Sequence, residues 1–278
     1  MRLELHCHST RSDGSEPPHA VARRALDYGV ELFCLTDHDT VAGFEDTRSA
    51  LPTRVRVLRG LELSTVECGR TVHLLCYGIA DEAAVTLEEQ LEQIRRQRSQ
   101  RLRAIVKRLG ELGMPLDADE ILTEVGPGGS AGRPHVAQAL QRAGHVSSVR
   151  EAFDRFLADG KPAYVAGQRL SVADGLALAR GAGAQVALAH PHTLGDSAIV
   201  RALFADHRDA GLTGIEAFYG RYGSAASAPW LRVAAQFDLT VTGGSDFHGS
   251  ALPEVVRPGI TFPAEHTERL LGWLDAAA

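Results

Sequence analysis

The chain has 278 residues, 44% of them hydrophobic and 23% charged, with a net charge of −6. This is long enough to bury a core without disulfide or metal staples. The acidic balance argues against a general nucleic-acid coat protein, although it leaves room for a local basic patch. No apolar run approaches the ~20 residues of a membrane span.

Arg2 to His6 reads as a first strand, with Leu3 and Leu5 alternating with polar residues. His6 and His8 lie two apart and share a face, so both can reach one divalent cation. Asp13 follows in a polar turn closed by Gly14. A signal peptide cleaved here would remove His6, so the expected location is the cytoplasm. Cys7, Cys34, Cys68 and Cys76 form no Cys-x-x-Cys pair, and three fall in predicted strands or, for Cys7, directly after one. They read as free, mostly buried thiols rather than a thiolate metal site.

Pro17-Pro18 leads into a helix that stops at Gly29. Glu31 to Thr36 reads as a buried strand ending at Asp37-His38-Asp39-Thr40, and a helix follows over about 42–50. Arg54 to Leu58 is a third strand, running out at Gly60-Leu61-Glu62, and Val72 to Tyr77 is a fourth, with His73 near its start. From about Thr86 apolar residues recur at three and four residue steps over a long helix closed by Gly113 and Pro115. Further helical patterns cover roughly 117–125, 133–144 and 148–158. Alternation then resumes. Gln185 to Ala189 ends at His190, Thr213 to Phe218 carries Glu216, and Leu239 to Thr242 ends at Ser245-Asp246-Phe247-His248. A last helix spans about 265–276.

Seven strands alternating with helices predict an α/β fold, a small distorted relative of the (β/α)8 barrel built from parallel strands. Residues 1–83 and 166–278 form the discontinuous barrel, and 84–165 form a helical insertion. Nine residues are candidate metal ligands: His6, His8, Asp13, His38, Glu62, His73, His190, Asp246 and His248. All but His73 sit at or just after the C-terminal end of a predicted strand, so a closed sheet converges them on one mouth. Imidazole and carboxylate without thiolate suits Mn²⁺, Zn²⁺ or Fe²⁺, and nine ligands are too many for one ion. Two or three ions fit better. Glu216 is placed to hydrogen-bond a ligand histidine or simply to be buried. His19, His145, His207 and His266 read as surface residues. No Gly-x-Ser-x-Gly serine motif and no phosphate-binding Walker loop is present.

The ordered motifs are His-x-His-Ser with Ser-Asp-Gly, Thr-Asp-His-Asp, Gly-x-Glu, the strand-four His, Ala-His-Pro and Ser-Asp-x-His. In this order they resemble the PHP (polymerase and histidinol phosphatase) family over essentially the whole chain. The likeness is strongest to members that act on 3′,5′-bisphosphorylated nucleotides and on 5′ ends of short RNA. It implies a distorted seven-stranded barrel with three metal ions, Mn²⁺ favoured and Fe²⁺ or Zn²⁺ as alternatives. By resemblance, His6, His8, Glu62 and Asp246 hold the first ion and Asp13, His38 and His248 the second. Glu62, as a bridge, His73 and His190 hold the third. The implied reaction is attack of a metal-bound hydroxide on a phosphomonoester, with no protein nucleophile.

Two segments, Gly132-Arg133-Pro134-His135 and Gly160-Lys161-Pro162, match nucleotide-phosphatase relatives. The likeness implies that Arg133, His135 and Lys161 contact substrate. The expected substrate is a small phosphorylated molecule, a nucleotide or short RNA, with no membrane or protein partner. The basic run Arg95, Arg96, Arg98, Arg101, Arg103, Lys107 and Arg108 reads mainly as a solvated face, with oligonucleotide steering as the alternative. Related sequences often read His-Pro-Gly-Arg where this chain has His190-Pro191-His192-Thr193. Rival readings are a metal-dependent amidohydrolase, which would carry a lysine on a mid-barrel strand, and a non-catalytic metal-stabilised regulatory module.

Overall fold

A computed structural model describes residues 1–220 and 222–277. The strands are β1 (Arg2–Glu4), β2 (Leu32–Leu35), β3 (Arg56–Glu67), β4 (Arg70–Tyr77), β5 (Leu170–Ser171), β6 (Gln185–Leu188), β7 (Leu212–Tyr219), β8 (Thr240–Gly244) and β9 (Ile260–Thr261). They form one sheet in the order β8-β7-β6-β4-β3-β2-β1-β9, with β5 beside β3. The helices are α1 (Pro18–Asp27), α2 (Phe44–Ala50), α3 (Asp81–Glu111), α4 (Ala118–Val125), α5 (Arg133–Arg142), α6 (Val149–Ala152), α7 (Val172–Gly181), α8 (Ser197–His207), α9 (Ser224–Phe237) and α10 (Ala264–Asp275). None of the described helices is long and apolar enough to cross a membrane.

This is the expected α/β barrel with two corrections: the sheet has nine strands among the described residues rather than seven, and they are not all parallel, the short β9 running antiparallel to β1. β4 runs antiparallel to both β3 and β6. The cause is a two-residue turn, Cys68-Gly69, whose residues both have positive φ (47° and 76°). Two-residue hairpins of this kind match the right-handed twist of their strands and join them antiparallel. β3 therefore does not stop near Leu58 but continues through Gly60 and Glu62 to the turn. The reversal also explains His73. Its strand begins where the parallel strands end, so a residue near the start of β4 reaches the same rim.

Beyond its last ladder pair the sheet closes on itself. The Asp246 amide donates to the His6 carbonyl at 2.7 Å and the His8 amide to the Phe247 carbonyl at 2.8 Å. Buried Glu4 clasps this seam. Its Oε1 accepts from the His6 and Ser245 amides at 2.9 and 3.0 Å, and its Oε2 accepts from the Ser245 hydroxyl and the Gly259 amide. Gly244 permits the approach, since a Cβ there would lie 2.4 Å from the His6 Cβ.

Leu61, Leu63, Leu74 and Cys76 pack with Leu87, Leu91 and Leu176 in the main core, so the first half of α3 lies on the barrel. Leu102, Ile105 and Leu109 of its second half belong to a separate cluster with Ile121, Val136, Leu140 and Leu157. The predicted helix over 148–158 is a short α-turn continued as a π-helix, Phe153–Leu157. Cys7, Cys34 and Cys76 are buried free thiols, and Cys68 is exposed.

Candidate functional site

The nine candidate residues meet at one rim. His38 pairs with Glu62 in an isolated bridge. Ser64 faces His73 across the β3–β4 ladder and Glu62 faces Leu75, so Glu62 and His73 project from the same face. Glu62 lies at the centre. Its Oε2 is 3.1 Å from His8 Nε2 and 3.3 Å from both His6 Nε2 and His38 Nδ1. Its Oε1 is 2.8 Å from His73 Nδ1 and 2.9 Å from His190 Nε2. Asp246 Oδ1 is 3.3 Å from His6 Nε2 and from His8 Nε2. Asp13 lies 3.4 Å from His248 Nε2 and 3.7 Å from His38 Nε2.

Four overlapping groups have ligand atoms within 4.8 Å of one another: His6, His8 and Asp246; His6, Glu62 and His190; His8, Asp13 and His38; His38, Glu62 and His73. His248 joins through Asp13 and through its ring, stacked 4.1 Å from that of His8. The nitrogens His6 Nε2, His8 Nε2 and His38 Nδ1 are buried and make no hydrogen bond. Buried polar atoms almost always have partners. Several unpartnered nitrogens converging on carboxylates fit divalent cations, which supply the missing contacts to all of them at once.

Neighbouring groups aim these candidate ligands. The second ring nitrogen of His6 lies 2.9 Å from Glu216 Oε1, and Glu216 Oε2 accepts the His190 amide at 2.7 Å. His248 Nδ1 is 2.9 Å from the Asp246 carbonyl, which leaves Nε2 for the site. Such bonds fix which nitrogen faces an ion. Asp37 accepts from the Ser9 amide and hydroxyl at 2.7 and 2.6 Å and from the Ser12 hydroxyl at 2.6 Å, folding the loop that delivers Asp13. Asp39 accepts the Ser64 amide at 2.8 Å. The Tyr219 hydroxyl donates to Asp246 Oδ2. His190, Asp246 and Asp39 all adopt positive φ (26°, 55° and 51°), a strained choice for side-chain-bearing residues that clusters at functional sites.

The electrostatics express the same crowding. Burial works against the His8 imidazolium, but Asp246, Glu62 and Asp13 outweigh it and raise its pKa to about 10. Burial also opposes the His6 cation, which Glu216, Glu62 and Asp246 hold well above the usual range. For His38 burial wins, and its pKa falls to about 3. Glu62 and Asp13 stay well below the carboxylate range because surrounding histidines overcome their desolvation.

Asp13, His38 and His73 also form one wall of a pocket of about 160 Å³, whose other walls carry Arg98, Arg101, Arg133 and Arg169. Of the three expected substrate contacts, Arg133 alone lines it. Arg133 also pairs with Asp159 at 2.8 Å. His135 is buried, its Nδ1 accepting the Gly132 amide at 3.0 Å as a helix cap. Lys161 is exposed and lies outside the pocket lining. The basic run on α3 is not one solvated face. Arg95 is buried, donating to the Asp39 carbonyl at 3.1 Å and to Glu88, while Arg98 and Arg101 turn into the pocket. Arg169, Tyr219 and Glu4 lie in no motif and escaped the sequence reading. His145, His207 and His266 are half-buried rather than surface residues, His207 lying 3.3 Å from Glu67 and His266 against Phe218.

Comparison with known proteins gives a consistent picture. Residues 4–95 match the PHP domain. The chain is 32% identical over 270 residues to a 3′,5′-nucleoside bisphosphate phosphatase of Chromobacterium violaceum, covering 92% of this chain and 94% of that one. It is 31% identical over 251 residues to a 5′-3′ exoribonuclease of Haemophilus influenzae, covering 89% and 90%. Among solved structures, a protein of Bifidobacterium adolescentis assigned as a metal-dependent phosphoesterase superposes with a TM-score of 0.83 at 28% identity, covering 98% of this chain and 96% of that one. A Chromobacterium violaceum structure described as an amidohydrolase, with bound sulfate and no metal, gives 0.86 at 30% identity over the same shares.

Proposed function

Since the chain belongs to the PHP family of metal-dependent phosphoester hydrolases, we propose that its reaction removes the 3′-phosphate of a 3′,5′-bisphosphorylated nucleotide. The observation that carries this reading is the arginine pocket sharing a wall with the histidine–carboxylate cluster. A substrate with two phosphates can place one in each. Arg101 Nη2 is buried without a hydrogen-bond partner. Burial, with Arg133 and Arg169 nearby, lowers the Arg101 pKa to about 10. A phosphate among these guanidiniums would relieve both costs through paired charge-assisted bonds.

We assign His6, His8, Asp13, His38, Glu62, His73, His190, Asp246 and His248 as ligands of three divalent ions, with Glu62 as the bridge and Mn²⁺ favoured. Bound there, the ions supply Lewis-acid charge neutralisation and lower the pKa of water. The chain's own residues do the rest. Glu216 and the Asp246 carbonyl hold ring tautomers, Glu4 holds the two strand ends together, and the arginines orient the non-reacting phosphate. Hydrolysis breaks the P–O3′ bond, and the departing O3′ takes up a proton from water. Residues 84–165 act as the insertion that supplies Arg98, Arg101 and Arg133; Leu87 and Leu91 tie its start to the barrel core, and from Leu102 onward it has an apolar cluster of its own. The free thiols support a reducing, cytoplasmic setting.

A second reading has its own support in the exoribonuclease relative. Cutting the first phosphodiester of a 5′-phosphorylated RNA breaks the same P–O3′ bond, with the 5′-phosphate among the arginines. The amidohydrolase reading is weaker. Lys107 and Lys161 are the only lysines, and neither lies on a barrel strand.

Phosphate release by Mn²⁺-loaded protein tests the proposal. Adenosine 3′,5′-bisphosphate should be turned over far faster than AMP, and Arg101→Ala should raise KM for the bisphosphate by about tenfold or more. Equal turnover of the two nucleotides would overturn the two-phosphate reading.

A further inference from the structure

Three aromatic rings lie against the far side of the metal-ligand cluster. The His192 ring is 4.7 Å from those of Tyr219 and Tyr222, and the two tyrosine rings are 5.2 Å apart. They grade outward. Tyr219 is 6% exposed, His192 is half-buried and Tyr222 is 44% exposed. Among the described residues Tyr222 is the only aromatic in the set of exposed large hydrophobic side chains. Its neighbour Tyr219 reaches the ligand set directly, through its hydroxyl on Asp246. The His190 ring lies 6.1 Å from that of His192 and 6.5 Å from that of Tyr219.

The placement has a direction. Asp13, His38 and His73 form the wall facing the arginines, whereas His190 and Asp246, which contact the rings, are absent from that wall. Arginines and aromatic rings thus flank the cluster on different sides. Tyr219 and Tyr222 also open into a cleft of about 780 Å³, bounded by Glu254 and Arg257 on the segment before β9. An exposed tyrosine at the outer edge of such a ring set, opening into a cleft, suits a flat apolar group from the substrate.

We propose that Tyr222, braced by the half-buried His192 and the buried Tyr219, is a stacking platform for the nucleobase that follows the cut bond in a short 5′-phosphorylated RNA. The platform rests on the phosphoester reading above and extends it to the leaving side. When water attacks phosphorus and the P–O3′ bond breaks, the phosphate stays on the downstream nucleotide as its new 5′-phosphate. With the first nucleotide's 5′-phosphate held by the arginines, that downstream nucleotide lies on the His190–Asp246 side. Base–aromatic stacking there is sequence-tolerant, because every base has a π-face. A bisphosphorylated mononucleotide has no base at this position, so the platform discriminates between the two substrate classes.

The test compares kcat/KM for a 5′-phosphorylated ribodinucleotide with that for adenosine 3′,5′-bisphosphate, using metal-loaded protein. Tyr222→Ala and His192→Ala are expected to lower the dinucleotide-to-bisphosphate ratio by about tenfold, and Tyr222→Phe to restore it. A dinucleotide with a non-hydrolysable methylenephosphonate link and 2-aminopurine at its second position gives a readout independent of turnover. Its fluorescence should be quenched on binding the unmodified protein and not on binding Tyr222→Ala. Unchanged ratios with unquenched fluorescence overturn the platform, as does a protein that turns over the bisphosphate and ignores the dinucleotide. Absence of turnover of both substrates, with metal bound, overturns the underlying reading and the platform with it.

Discussion

Glu216 shows how one buried carboxylate sets two candidate ligands. One oxygen lies against the His6 ring and the other accepts the His190 amide, so the residue fixes a tautomer and a strained backbone turn together. Glu216→Gln keeps the shape but gives one of these two donors another donor to face. Metal affinity should fall about 10- to 100-fold, measured by titration of metal-free protein with Mn²⁺, while the circular dichroism spectrum stays native. Unaltered affinity would reduce Glu216 to a packing residue. The sequence made the nine ligand candidates legible because strand ends are where such a barrel does its chemistry. It did not reveal Arg169, which sits in an irregular stretch before β5 with no motif around it, or Tyr219, whose role depends on a contact with Asp246 across the rim.

The β3–β4 hairpin is the element that sequence periodicity misjudged. Glu62 interrupts an apolar run, which resembles a strand terminus, yet it is a mid-strand residue facing the site. Its misreading hid the two-residue turn and with it the direction of β4. Helix α3 carries a related lesson. Its apolar spacing marks the buried face, but the spacing does not say that the middle of the helix passes the rim and turns Arg98 and Arg101 inward. The turn itself is open to improvement. Cys68 is exposed and holds φ at 47°, a region where Asn is better tolerated. Cys68→Asn should raise Tm by about 1–4 °C, read by differential scanning calorimetry. A drop in Tm would mean that the thiol has packing value the turn geometry does not reveal.

For the molecule as a whole, stability and ion binding are one linked equilibrium. In metal-free protein, His8 holds its proton to about pH 10, against an ordinary imidazole value of 6.5. A raised pKa contributes stability that is complete below the ordinary value and is lost as pH rises towards 10. Divalent ions replace those protons. The Tm of metal-free protein should therefore fall between pH 7 and pH 10, and the increase in Tm on adding Mn²⁺ should widen over the same interval. Parallel profiles with and without metal would show that these histidines do not exchange protons for ions. The net charge of −6 conceals this local chemistry, since cationic arginines face the histidine–carboxylate cluster across one pocket.

The seam between β1 and β8 has a temporal consequence. His6 and His8 are made well before Asp246 and His248. Glu4 waits for its partners Ser245 and Gly259 until β8 and the segment after it are made. A nascent chain short of β8 can pair β1 with β2 but cannot shut the ring around a cation. Closure of the centre thus waits for β8: a product that stops before it emerges without Asp246 and His248 and without a closed ring.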